Sequence, residues 1–411
     1  MIFVLVTIFI DVLGIGIIIP ILPELIKEFA GGSTPAAGRW FGILASTYAL
    51  MQFLFAPLLG ALSDRVGRRP VILISLFGLG IDYLIMAWAP SLGWLFAGRL
   101  VAGVMGASFT TANAYIADVS KPKDRARNFG LVGAAFGMGF IVGPGLGGLL
   151  GGIDLRLPFL VSAGLALVNW LYGFFVLPES LPPGGRDRFS WRKANPVGSL
   201  AVLGSYPLVA GLTAAFVFAV LAQRGLETVW VLYTGHRFGW DERMNGFSLM
   251  LVGVMAAIVQ GALVRPIVAR LGERRAILGG LAIAVVTFVG YGLATAGWVL
   301  LVFIVVGSIG GVAGPAIQSL VAGAVPSEDQ GKVQGGIASL MSLTGILAPL
   351  IFTAGLFSYF TSPSAPVELP GAPFLFGAVM YALALWSLVR LFRRMPSQEP
   401  TESADHRSGP G

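Results

Sequence analysis

The sequence contains no cysteine and only two histidines, His236 and His406, in 411 residues. Without thiols there is no disulfide framework, no thiolate nucleophile and no cysteine-held metal centre. Two histidines so far apart leave no plausible transition-metal cluster, and no cofactor or metal is expected. Charge is also scarce: Asp, Glu, Lys and Arg make up only 11% of the chain, against about 25% in an ordinary soluble domain. Nucleotide-binding loops are missing too. Gly137, Gly139 and Gly143 do not follow a strand and open a helix as a dinucleotide fingerprint requires, and there is no phosphate-loop GK[ST]. No intramembrane histidine accompanies a serine nucleophile, so a membrane hydrolase is excluded and the chain is not expected to be an enzyme.

What the sequence has in quantity is apolar surface. It is 56% apolar, with a mean hydropathy of +0.83. Runs of about 18 to 28 apolar residues recur along its length, enough to cross a hydrocarbon core roughly 30 Å thick as helix. Twelve such runs are expected, near 2–29, 40–62, 70–89, 92–118, 128–151, 157–177, 204–234, 244–267, 275–295, 298–324, 333–358 and 370–394. The first is not a cleavable signal: it lacks a positive n-region, carries Asp11 at its centre and continues through Pro20 and Pro23 without a small-residue cleavage site.

Positive loops stay on the cytoplasmic side of a membrane. With both termini there, the loops on that face (Arg65 to Arg69, Lys121 to Arg127, Arg186 to Lys193, Arg265 to Arg275, Lys332) and the tail hold 20 of the 27 basic residues. The opposite loops hold five, and Arg99 and Arg224 fall inside spans. The net charge of +7 is therefore topogenic and does not form a nucleic-acid surface. The expected setting is the inner membrane of a bacterium, with lipid as the surrounding partner, both termini cytoplasmic and the monomer as the working unit.

The polar stretch with Pro182, Pro183, Gly184 and Gly185 divides the spans six and six. The expected organisation is a bundle over 1–177, a linker over 178–203, a second bundle over 204–395 and a disordered tail over 396–411. A repeat supports it. Asp124, Arg127 and Gly130 match Asp329, Lys332 and Gly335; Arg65 and Gly67 match Arg270 and Gly272; Pro144 matches Pro349, all at an offset of 205 positions. The fold class is thus an all-α membrane protein, twelve helices in two pseudo-symmetric six-helix bundles, with a substrate site expected between the halves near the midplane.

Asp11 lies about nine residues, roughly 14 Å, into the first span and Asp82 about twelve residues into the third. An ionised carboxylate at such depth costs on the order of 2.5 to 3.5 kcal/mol, so it faces a cavity or a partner. Both are read as proton carriers, against the blander reading of a hydrogen bond to a neighbouring helix. Arg99, too deep in the fourth span to snorkel, needs an anionic partner, for which Asp11 is the candidate; a fixed structural ion pair is the alternative. Arg224 and Glu227, spaced i to i+3 on the seventh span, form a self-satisfied pair or contact substrate. Gln52, Asn113, Tyr115, Asn169, Gln260 and Gln318, with Phe136 and Trp230 as aromatic surfaces, are candidates to line the cavity.

Two motifs stand out. GALSDRVGRR (Gly60, Asp64, Arg65, Gly67, Arg68, Arg69) between spans two and three combines turn-forming glycines with charges that can act as a two-state latch, or simply as a topogenic loop. GFIVGPGLGG in span five (Gly139, Gly143, Pro144, Gly147, Gly148) allows close helix approach around a proline kink.

These residues resemble a known family. GALSDRVGRR is similar to the loop signature of the major facilitator superfamily, GRLVAG (Arg99, Gly103) to its fourth-helix motif, and GPGLGG to the fifth-helix signature of its drug/proton antiporters. DVLGIGIIIPILPEL, IDYLIMA and AYIADV extend the likeness over nearly the whole chain to the tetracycline/proton antiporters. The resemblance implies the major facilitator fold and proton-coupled export of tetracycline-like or other amphipathic drugs by alternating access. On it, Asp11 and Asp82 match acids needed for coupling, and Asp64 and Arg68 match the gating loop. The group's eighth-helix histidine and ninth-helix aspartate have no counterparts, Ala284 occupying the latter position, and Arg224 stands where a glutamine is usual. These departures bear on recognition of a metal–tetracycline complex. A facilitator or symporter of a sugar or small metabolite is the alternative function, and a transport-dead sensor or scaffold a third.

Overall fold

The structure, a computed structural model, describes residues 2–106, 109–181 and 205–394. Residues 182–203 of the expected linker and the tail lie outside these residues. Eleven of the described helices are long and apolar enough to cross a membrane alone, and a bent pair makes a twelfth span. We number them α1 (Ile2–Ile18 continued by Leu22–Phe29), α2 (Thr34–Val66), α3 (Arg68–Ala87), α4 (Leu92–Gly106 and Phe109–Val119), α5 (Arg125–Gly151), α6 (Leu157–Val176), α7 (Pro207–Phe238), α8 (Glu242–Leu271), α9 (Glu273–Leu293), α10 (Gly297–Gly323), α11 (Glu328–Phe360) and α12 (Ala372–Arg394).

Local sequence explains where these helices start and stop. Proline at the first or second helical position opens α2, α6 and α7, where a missing N–H costs nothing. The Asp241 carboxylate accepts from the Met244 N–H at 2.8 Å and caps α8. Span one was expected to be a single helix over 2–29. Instead it breaks after Ile18 and resumes at Leu22, bent by 40°. Pro20 disfavours helical backbone at the residue before it and lacks the N–H that would continue the ladder, and Pro23 restarts the helix.

The halves repeat each other in packing. α1 packs on α5 and α6, α2 on α4 and α3 on α6; correspondingly α7 packs on α11 and α12, α8 on α10 and α9 on α12. Gly67 and Gly272, partners in the sequence repeat, both adopt positive φ (109° and 75°) at the sharp turn joining the second and third helix of their half.

Two seams join the halves, α5 against α8 and α2 against α11. Both close on the face remote from the termini. The Ser46 hydroxyl donates to the Ile346 carbonyl and that of Ser358 to the Pro35 carbonyl, each at 2.7 Å. A Cβ added at Gly42 would lie 2.5 Å from the Pro349 oxygen, and one at Gly246 the same distance from the Pro144 oxygen. Nearer the termini the helices diverge: at Gly130, Gly133 and Gly137 of α5 an added Cβ would meet nothing within 4 Å. Two stretches of widened π-helix, Val259–Leu263 in α8 and Pro349–Phe357 in α11, lie in the helices that form these seams.

Candidate functional site

Between the halves, below the α2–α11 seam, is a cavity of about 740 Å³. α1, α2, α3 and α4 supply one wall, and α7 and α11 supply the other. Its surface is mostly apolar, from Ile15, Ile18, Phe41, Phe53, Phe109 and Met341 among others. Into it project a few polar groups: Tyr48 and Gln52 on α2, Thr228 on α7, and Ser339 and Ser342 on α11. This is the usual make-up of a site for drug-sized molecules, a concave apolar space with sparse orienting groups.

Four ionisable side chains other than tyrosine belong to the lining described: Asp82, Arg99, Arg224 and Glu227. Asp82 is fully buried and accepts from Arg99 Nη2 at 3.0 Å. This corrects the expected pairing of Arg99 with Asp11. The α3–α4 connection is short, so the two helices are antiparallel neighbours, and Asp82 and Arg99 stand at similar depth on either side of it. The guanidinium also approaches the Met86 sulfur at 2.8 Å and the Tyr48 ring at 5.7 Å from its centroid. Gln52 Nε2 donates to the Tyr48 hydroxyl at 2.9 Å, extending the polar chain into the cavity. One oxygen of Asp82 and the Arg99 Nε lack hydrogen-bond partners.

Asp11 lies outside the cavity lining, buried on α1, with its Oδ1 unpartnered. Tyr48 and Tyr83 stand within electrostatic reach of Asp11, Asp82 and Arg99 alike, so the three charged groups belong to one buried cluster in the first half. An unpaired buried carboxylate oxygen is costly to leave so. Across the cavity, Arg224 Nη1 and Glu227 Oε2 pair at 3.0 Å on α7, both largely exposed.

Several expected lining residues stand elsewhere. Tyr115 is 2% exposed in the core of the first half, its hydroxyl donating to the Pro178 carbonyl. Trp230, also 2% exposed, is packed edge-on against Tyr291, Phe374 and Trp240, with its indole N–H on Ser248. Asn169 is buried and donates to the Thr7 carbonyl. Each lies on the inward face of its helix, which composition alone does not reveal. Asn113, Gln260 and Gln318 are exposed but outside this lining, and Phe136 stands one ring further out, edge-on to Phe109. Gln52, Arg224 and Glu227 do line it. Tyr48, Tyr83 and the α11 serines were missed, although an aromatic–amide pair Tyr48/Gln52 spaced i to i+4 was a readable signal.

The loop motif is held within its own half. Arg68 pairs with Asp64 at 2.5 Å and Asp118 at 3.2 Å and donates to Ser63. The Glu179 carboxylate accepts from the backbone N–H groups of both Arg68 and Arg69. Arg69 lies over the Phe174 ring, as Arg274 in the second half lies over Phe392. Gly60 is open, and Asp64 and Arg65 are on the surface. At the α10–α11 turn, the counterpart of the α4–α5 turn, Asp329 pairs with Lys332 and accepts from the Tyr206 hydroxyl at 2.8 Å. That hydrogen bond raises the Tyr206 hydroxyl above its ordinary range. The α5 motif is divided between two neighbours. Gly139, Gly143 and Gly147 meet Val12, Gly16 and Ile17 of α1, while Gly148 and the Pro144 carbonyl meet Gly246 of α8.

The model for the Major Facilitator Superfamily matches residues 4–349, with a second match over 266–409. The chain is 41% identical over 384 residues to the tetracycline resistance protein, class C, of Escherichia coli, covering 93% of this chain and 95% of that one. It is 40% identical over 382 residues to the class G protein of Vibrio anguillarum, with the same coverage. Among solved structures, a bacterial homologue of the human lysosomal transporter Spinster superposes with a TM-score of 0.74 over 97% of this chain and 98% of that one, at 16% identity.

Proposed function

Because the chain belongs to the major facilitator superfamily and is a multi-pass membrane transporter, we propose that it is a proton-coupled antiporter. On this reading it exports tetracycline-like or other amphipathic drugs across the bacterial inner membrane. The observation that carries it is the buried Asp82–Arg99 pair in the wall of a cavity open toward one face. The names of the relatives support the drug class, and the distribution of positive residues supports a cytoplasmic position for the open face.

The cycle then follows from the electrostatics of the pair. With Asp82 ionised, Arg99 is satisfied and α3 and α4 are clamped together. A proton delivered to Asp82 removes the charge and leaves a buried guanidinium without its counter-ion, a state worth avoiding by several kcal/mol. Relief comes from rearrangement of the α3–α4 pair, which alters the wall of the cavity. Asp11, with a free oxygen in the same cluster, is the second proton acceptor. Drug binding to the cytoplasm-facing cavity and protonation from the far side are thereby made alternatives. The two bundles, 1–177 and 204–395, rock about the midplane, parting the seams on the far face and closing the cytoplasmic face. There the latch of Asp64, Arg65 and Arg68, with Asp64 and Arg68 engaged inside their own half in the present state, gains partners in the other. The monomer is sufficient for this cycle.

The test is tetracycline accumulation in inside-out vesicles energised by an acid-inside gradient. Accumulation is expected in the wild type and collapses on adding a protonophore; Asp82→Asn loses it while still binding drug. Gradient-driven accumulation that survives in both Asp11→Asn and Asp82→Asn overturns the proton-coupling assignment.

A further inference from the structure

The four charges in the cavity lining are not equivalent. Asp82 and Arg99 are spent on each other: the carboxylate is fully buried and the guanidinium side chain 9% exposed. Arg224 and Glu227 present 57% and 43% of their side chains to the open space, joined by a bond between Nη1 and Oε2. A guanidinium carries five N–H donors and a carboxylate about four lone-pair sites, so both retain most of their capacity. An exposed i, i+3 pair also costs little to reorganise. This pair is therefore the part of the lining that can answer a charged ligand.

The charges sum to zero among the described lining residues. A lone cation reaching Glu227 brings its charge beside Arg224, whose nitrogen stands 3.0 Å from that carboxylate; a lone anion at Arg224 meets Glu227 in the same way. A molecule bearing both signs replaces each half of the pair with a partner and leaves nothing unpaired. The remaining wall, with Phe41, Phe53, Phe109 and Met341, suits a flat ring body.

We propose that Arg224 and Glu227 form the charge-recognition site of the cavity and select zwitterionic amphiphiles over permanently cationic ones. Glu227 takes the amine and Arg224 an acidic oxygen group in a forked hydrogen bond. This rests on the cavity being the drug site, as proposed above.

A matched pair of dyes tests it: rhodamine B, zwitterionic at neutral pH, and its ethyl ester, which lacks the acid and stays cationic. Binding to the detergent-purified protein is read by fluorescence anisotropy. Wild type is expected to bind rhodamine B about tenfold more tightly than the ester. Arg224→Gln brings the ratio to about one or below, by weakening rhodamine B and, with the repelling guanidinium gone, leaving the ester bound as tightly or more so, which also shows that the variant is folded. Exchanging the two residues, Arg224→Glu with Glu227→Arg, keeps the preference. Equal or tighter ester binding in the wild type, no binding of rhodamine B, or an unaltered ratio in Arg224→Gln overturns the assignment. Vesicle uptake separates this from the export reading. A binding preference without proton-driven dye uptake would sink export and leave the site standing; proton-driven uptake with the same dye ratio in wild type and Arg224→Gln would do the reverse.

Discussion

At the scale of the residue, the Asp82–Arg99 pair is the most consequential feature, because desolvation makes each partner depend on the other. Arg99→Met leaves a buried carboxylate without its counter-ion and should lower stability by about 3 to 5 kcal/mol. The expected result is a clear fall in the unfolding midpoint of the purified protein. Adding Asp82→Asn to Arg99→Met should recover most of that stability without restoring the proposed pH-driven export, since no ionisable carboxyl remains there. The existence of this cluster was legible, because an ionisable residue deep in an apolar run needs an account. Its pairing was not read correctly. Asp11 was the expected partner of Arg99, yet Asp82 precedes Arg99 by seventeen positions across a short turn. That spacing places both at one depth on adjacent antiparallel helices. Tyr115 and Trp230 show a different limit: a polar or aromatic residue in an apolar helix gives no sign of which face it occupies when both faces are apolar.

At the scale of the element, α5 does two jobs with neighbouring glycines. A Cβ at Gly147 would collide with the Ile17 carbonyl of α1, inside one half, whereas at Gly148 it would collide with the Glu242 carbonyl of α8, across the halves. Gly147→Ala should therefore destabilise the protein, seen as a lowered unfolding midpoint. Gly148→Ala should leave the fold intact and favour the state in which the far face is parted. Gly137→Ala meets nothing within 4 Å and should be neutral or stabilising by up to about 1 kcal/mol, since alanine is the better helix former. The motif was readable as a close-packing surface. Its division between two partners was not, because that depends on where α1 and α8 lie around the helix. The bend in α1 was foreshadowed by Pro20 and Pro23, but the π-helical stretches left no trace in hydropathy, which does not register hydrogen-bond pattern.

At the scale of the whole molecule, twelve spans and two related halves were legible because lipid permits few solutions: every backbone polar group must be satisfied within a helix. The direction in which the cavity opens was not, since one sequence serves every state of the cycle. The absence of cysteine makes that direction testable. A Cβ at Gly345 would stand 3.9 Å from the Ala49 Cβ across the α2–α11 seam, within the range a disulfide needs. Ala49→Cys with Gly345→Cys should cross-link on oxidation, arrest transport and recover it on reduction; combining the pair with Gly148→Ala should lower the cross-linking yield. The make-up of that seam has an electrical corollary. It is held by hydroxyl–carbonyl bonds from Ser46 and Ser358, by Gly38 and Gly42 and by the Phe357 ring, none of which carries a formal charge. Moving one elementary charge through the membrane potential is worth about 2.3 kcal/mol per 100 mV, but parting these groups moves none. Membrane voltage therefore does no direct work on parting this seam.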